Sequence, residues 1–290
     1  MKIKRTLSWL LAAVMALGLL SGCGSTKSSD WGNEESYSML LVGNSMLSVG
    51  RLNGQISDLA NFGKINVYIK EVIKGGTPLS GLKEEALSEM GMDHYDYVVI
   101  QGSLWWGWIE ETDGFESDFK EICDMAKATG STVVLYSPPW WVQLDENEDL
   151  IMEHRFEDFL SENAPDVLEK LRLQGGLLPE DVLAEYERLA KENDAILINS
   201  WDAWVNAYQK YPDIQLLLDP PEDMVHPGET GSFLSACLFC AELFDMKIDA
   251  KTCSVYGDII ECDAGTLEKL AKLAWKYQTY YKKHGTYPEE

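Results

Sequence analysis

The stretch "SMLLVGNSMLSVG", Ser38 to Gly50, decides how the chain is read. Its first half is a short apolar run without polar alternation, the pattern of a parallel strand covered on both faces. Gly-Asn-Ser interrupts it, and "MLSVGRLNGQISDLANFG" continues at helical spacing. Ser45 therefore stands where a strand turns into a helix. A serine there is either the N-cap of the helix or a group placed at the carboxyl end of a parallel sheet, where ligand sites lie.

Four further runs read as buried strands: "INVYIKEVI" from Ile65, "DYVVIQG" from Asp96, "STVVLYSP" from Ser131 and "AILINS" from Ala195. Helical patterns alternate with them in "PLSGLKEEALSEM", "FESDFKEICDMAKATG" and "VLAEYERLAKEN", and "TLEKLAKLAWKYQTYY" reads as a closing amphipathic helix. This βαβ alternation predicts a doubly wound five-stranded parallel sheet in an α/β fold. The connection between the fourth and fifth strands is long. Its helical stretches, "LIMEHRFEDFLSE" and "APDVLEKLRLQ", make residues 140–190 an insertion that could serve as a lid or rim.

The first residues speak to compartment. Lys2, Lys4 and Arg5 precede an apolar run from Leu7 to Leu20, a signal sequence too short to span a membrane comfortably. Leu20-Ser21-Gly22-Cys23 looks like the lipobox of bacterial lipoproteins, which makes residues 1–22 the signal peptide and Cys23 a lipid-carrying anchor on the extracytoplasmic face of the cell membrane; an ordinary secreted protein is the alternative. Residues 23–36 read as a flexible tether and 37–290 as one domain. Without the leader, 21 basic residues face 48 acidic ones, a formal charge of −27. Such a surface repels phosphate backbones, so nucleic acid is not an expected partner.

Beyond Cys23 there are five cysteines. Cys237 and Cys240 lie one helical turn apart in "FLSACLFCAELF" and read as small buried hydrophobes, whereas Cys253 and Cys262 flank a short loop and could form a disulfide. No histidine joins them at zinc spacing, so no metal is expected.

A nucleophilic serine needs a base within hydrogen-bond reach and a third group to orient that base. The chain has four histidines. His94 precedes the third strand, His154 lies among charges in the insertion and His284 is in the tail. His226 differs, because it occurs in "DPPEDMVHPGETGSFLSACLFCAELF" three residues after Asp223 and just before a helix that begins beyond Pro227 and Gly228. One tight loop could aim both side chains at the sheet edge, with Asp223 holding one imidazole nitrogen and the other taking the Ser45 proton. The alternative is an Asp–His pair that merely caps the helix.

Taken in order, Gly43-Asn44-Ser45, Gly76, "DYVVIQGS" and Asp223-x-x-His226 resemble the motifs of the SGNH (GDSL-like) hydrolases, over about Ser38 to Leu243. "HPGETGSFLSACLF" and "YERLAKENDAILINSWDAW" are similar to segments of those members that carry Gly-Asn-Ser in place of Gly-Asp-Ser. The resemblance implies a flavodoxin-like three-layer α/β/α fold and ester hydrolysis by a Ser45, His226, Asp223 triad without a cofactor. It also implies an oxyanion hole built from the N–H of Ser45, the N–H of Gly76 and an asparagine side chain after the third strand. The sequence departs from the family at that last position: "VIQGSLWW" has no asparagine, and Gln101 is the nearest amide. Gln101 is either the third donor or a group that satisfies backbone at the strand end.

Tryptophans crowd the same predicted edge. Trp105, Trp106 and Trp108 follow the third strand, Trp140 and Trp141 the fourth, and Trp201 and Trp204 the fifth. The last two fall in a stretch the family shares and are expected to pack. Trp105, Trp106, Trp140 and Trp141 are candidate contacts for a sugar ring or acyl chain. The expected function is a membrane-anchored esterase acting on small acyl esters, acetyl above all, carried by glycans. The alternative is a catalytically degenerate relative that binds carbohydrate or another surface ligand.

Overall fold

A computed structural model describes residues 35–101, 112–139, 179–219 and 223–285, with the isolated positions 161 and 169. The expected signal peptide, Cys23, most of the tether, most of the insertion, His154 and Trp105, Trp106, Trp108, Trp140 and Trp141 lie outside the described residues, while the last two tether positions, Glu35 and Ser36, already belong to a strand.

Five strands, β1 (Glu35–Gly43), β2 (Ile65–Ile73), β3 (Tyr97–Gln101), β4 (Thr132–Ser137) and β5 (Ile196–Asn199), form one parallel sheet in the order β2-β1-β3-β4-β5. This is the flavodoxin-like order, with the strand succession reversing direction beside β1. The apolar run of β1 is continuous because each face of the sheet has its own core. Met39 and Leu41 join one cluster with Val99, Val134 and Ile198, while Leu40 and Val42 join the other with Val98, Ile100 and Leu135. A one-residue slip would exchange the two sets, so register is strongly specified. At the amino edge Asp96 reinforces it, its Oδ2 accepting from the Ser38 N–H at 2.7 Å and the Ser38 hydroxyl at 2.9 Å.

The helices are α1 (Ser45–Ser48), α2 (Leu52–Phe62), α3 (Lys83–Met92), α4 (Thr112–Ala128), α5 (Pro179–Glu192), α6 (Ser200–Lys210), α7 (Glu229–Leu243), α8 (Ala250–Ile259) and α9 (Ala264–His284). α3, α4 and α5 cover one face; α2, α6, α7 and α9 cover the other. α7 is apolar all round and buried at every position from Gly231 to Ala241, as a helix enclosed on all sides must be.

Three expectations change. The helix after β1 is not continuous: a 3₁₀ turn, Val49–Arg51, separates α1 from α2, with Gly50 and Arg51 both at positive φ. Cys253 does not border a loop but sits inside α8, which Asp249 starts by accepting from the Thr252 N–H at 2.7 Å. Cys253 and Cys262 are both free, as are Cys123, Cys237 and Cys240. Burial pushes the Cys123 thiol up to about 12 and raises Cys237 and Cys240 as well, which fits apolar packing groups.

Candidate active site

β1 ends at Gly43, and the backbone turns at once into α1. Asn44, not Ser45, is the N-cap: it has extended backbone, and its side-chain Oδ1 accepts from the Met46 N–H at 3.1 Å. Ser45 is the first helical residue, so its hydroxyl has no capping duty. That hydroxyl meets His226 instead, with Ser45 Oγ 2.8 Å from His226 Nε2 across 181 positions of chain.

The peptide groups around Ser45 are nearly all occupied. The Asn44 N–H donates to Gln101 Oε1 at 2.9 Å, the Met46 N–H to Asn44 Oδ1, and the Leu47 N–H to the Asn44 carbonyl at 3.0 Å. Gln101 ends β3 beside β1, 2% exposed, and lies so close that a Cβ on Gly43 would fall 2.6 Å from its Oε1. Glycine at position 43 is therefore a packing requirement of the Gly-Asn-Ser turn. The backbone-satisfying role foreseen for Gln101 is the one its oxygen performs.

The turn after β2 comes alongside through the Lys74 N–H, which donates to the Gly43 carbonyl at 3.2 Å. Gly76 follows two residues later, exposed, at φ 63° and with open space around its α-carbon. A residue with a side chain would be strained at that φ.

His226 lies on a strand, not in the tight loop expected from the sequence. β6 (Leu217–Asp219) and β7 (Asp223–Pro227) form an antiparallel pair outside the main sheet, and α7 begins directly after β7. Asp223 is the first residue of β7, three positions before His226; its side chain lies outside what is described. Among the other described histidines, His94 is exposed before β3 with Nδ1 3.0 Å from the Thr129 carbonyl, and His284 packs at a tilt against the Tyr280 ring at the end of α9. Trp204 is fully buried, its indole N–H donating to Ser235 Oγ at 3.4 Å, and Trp201 is 8% exposed, so both pack as expected.

At the end of β5, Asn199 Nδ2 donates to Asp202 Oδ2 at 2.8 Å. Burial pushes the Asp202 carboxyl up to about 6, a shift that the Asn199 bond opposes. Sequence reading did not single out this pair.

No protein-family model matches the chain, and no curated protein matches it. Among solved structures it is similar to a protein assigned to the SGNH hydrolases from Slackia heliotrinireducens, at 17% identity and a TM-score of 0.49, over 70% of this chain and 96% of that one. It is also similar to Axe2, an acetylxylan esterase from Geobacillus stearothermophilus, at 14% identity and a TM-score of 0.48, over 71% of this chain and 94% of that one. Similarity at this level does not reach chemistry. What the site itself presents is a serine hydroxyl hydrogen-bonded to an imidazole at the carboxyl edge of a parallel sheet.

Proposed function

We propose that the protein is a serine esterase in which Ser45 is the nucleophile and His226 the general base. The observation that carries this reading is the 2.8 Å contact between Ser45 Oγ and His226 Nε2. As Ser45 Oγ bonds to the ester carbonyl carbon, its proton passes to His226 Nε2; the protonated imidazole then returns it to the departing alkoxide. Water resolves the acyl-enzyme by the same steps in reverse. Asp223 orients the imidazole through its other nitrogen. The negative oxygen of the tetrahedral intermediate is received by the Ser45 and Gly76 N–H groups, with the NH₂ end of Gln101 as third donor.

The substrates in this reading are small acyl esters, acetyl above all, carried on glycans, which Trp105, Trp106, Trp140 and Trp141 would hold against their ring faces. Lipidation of Cys23 would anchor the enzyme on the outer side of the cell membrane, next to envelope polymers. Ser45→Ala is expected to lower p-nitrophenyl acetate hydrolysis by about three orders of magnitude or more; equal rates in the two proteins would remove Ser45 from the chemistry.

A non-catalytic, carbohydrate-binding protein is the second reading, favoured by the use of Gln101 Oε1 to hold the Asn44 N–H where the family has an asparagine donor. A fluorophosphonate probe separates the two, since it labels an activated serine and leaves a pure binding protein unmarked.

A further inference from the structure

Gln55 lies on α2 between Leu52, Ile56 and Leu59, in the stripe that faces the core, and is 0% exposed. A polar side chain in that stripe is costly unless its groups are paired. Both protons of its Nε2 are paired: one goes to the Gly50 carbonyl at 2.8 Å, the other to the Glu229 carbonyl at 2.9 Å. Two carbonyl acceptors also fix the orientation of the amide, because a flipped side chain would set oxygen against oxygen. Its Oε1 is then left buried without a partner among the described residues. An apolar side chain of the same size would avoid that loss, so the two donated bonds are what the residue supplies.

The two acceptors belong to the two segments that carry the Ser45–His226 pair. Gly50 is in the 3₁₀ turn that follows α1, five residues after Ser45; Glu229 opens α7, three residues after His226. The segments press together directly as well. Gly50 has φ 72°, and a Cβ there would fall 2.3 Å from Ser232 Oγ, 2.6 Å from the Pro227 carbonyl and 2.8 Å from the Gly228 carbonyl. Glycine lets the serine turn lie flat on the histidine segment, and the Gln55 amide stitches the two backbones together. Arg51 adds an exposed ion pair to Glu229 at 3.6 Å, which contributes little.

We propose that Gln55 is a positioning residue whose amide, by bonding both carbonyls, sets the distance between Ser45 Oγ and His226 Nε2; its catalytic consequence rests on the esterase reading of that pair. Gln55→Met keeps the length and volume of the side chain and removes both donors. A folded variant is expected, with the Ser45 Oγ to His226 Nε2 separation in its crystal structure opened beyond about 3.5 Å. Its kcat for p-nitrophenyl acetate should fall about tenfold or more at unchanged KM, because the lost quantity is alignment. In a His226→Ala background the same substitution should change the residual rate by less than about twofold. A pair still at hydrogen-bond distance, a rise in KM alone, or equal losses in both backgrounds would overturn the proposal. So would a Gln55→Met chain that cannot fold, since the amide would then hold the domain and not the site. If the unsubstituted protein hydrolyses no ester through Ser45, the esterase reading fails and the crystallographic distance still decides the role of Gln55.

Discussion

Replacing Gln101 with leucine tests whether the strand end holds the serine turn. Gln101 is 2% exposed and accepts the Asn44 N–H at 2.9 Å, and Asn44 is itself 6% exposed. Leucine fills nearly the same volume but offers no acceptor, so the N–H is left buried and unpaired. Such a group costs about 1–3 kcal/mol. For a domain of roughly this size each kcal/mol lowers the melting midpoint by about 2–4 °C, which gives a fall of about 2–12 °C. The residue that loses its partner directly precedes Ser45, and the proposed third oxyanion donor goes with the same side chain, so turnover should drop in this variant by about a hundredfold or more. Thermal denaturation and p-nitrophenyl acetate hydrolysis measure the two effects side by side. A variant that melts and turns over like the parent would refute the reasoning, because the Asn44 N–H would have to find a partner that the packing of Gly43 against Gln101 does not provide.

Two further outcomes follow from burial. The folded Asp202 carboxyl, at about 6, lies above its unfolded value, so between about pH 4 and pH 6 the folded chain holds the extra proton and this group's contribution to stability falls as pH rises. Asp202→Asn keeps an acceptor for Asn199 Nδ2 and should raise stability by about 1–3 kcal/mol at pH 7 and by nothing near pH 4 in urea titrations; equal gains at both pH values would contradict the assignment. With Cys23 replaced by serine, thiol titration of native protein should modify Cys262 first, since Cys123, Cys237, Cys240 and Cys253 are buried, and all five remaining thiols should react in denaturant; three reactive thiols in place of five, restored by reductant, would contradict free Cys253 and Cys262.

The sheet was readable because strands buried on both faces leave uninterrupted apolar runs, as "MLLVG", "YVVIQ", "TVVLYS" and "ILIN" do; "INVYIKEVI" also forms a strand, but β2 lies at the sheet edge and is buried only at Ile65 and Val72, not throughout as expected. The β6–β7 pair was not, because "DPPEDMVHP" carries prolines and charges that argue against a strand unless it lies at an edge, where the missing N–H groups face no partner. Helical periodicity ran on through Gly50 and Arg51, hiding the break between α1 and α2. Ser45 and His226 stood out because histidine is scarce and both positions border a predicted sheet edge. The cap at Asn44 could have been weighed from residue type alone, since asparagine is among the best N-caps. Gln55 could have been noticed as a polar residue in an otherwise apolar stripe of Leu52, Ile56 and Leu59. Its partners, one of them 174 positions away, lay beyond any local pattern.

α7, enclosed at every position from Gly231 to Ala241, makes the proposed chemistry depend on a contact between distant parts of the chain. Its docking brings in the imidazole, and α9 closes over it with Leu267, Leu270 and Ala274. A polypeptide that has made the parallel strands but not yet docked α7 would carry an alcohol with no imidazole held beside it. In the esterase reading, hydrolysis would thus report a docked α7, and forms of the chain without that contact would stay chemically silent.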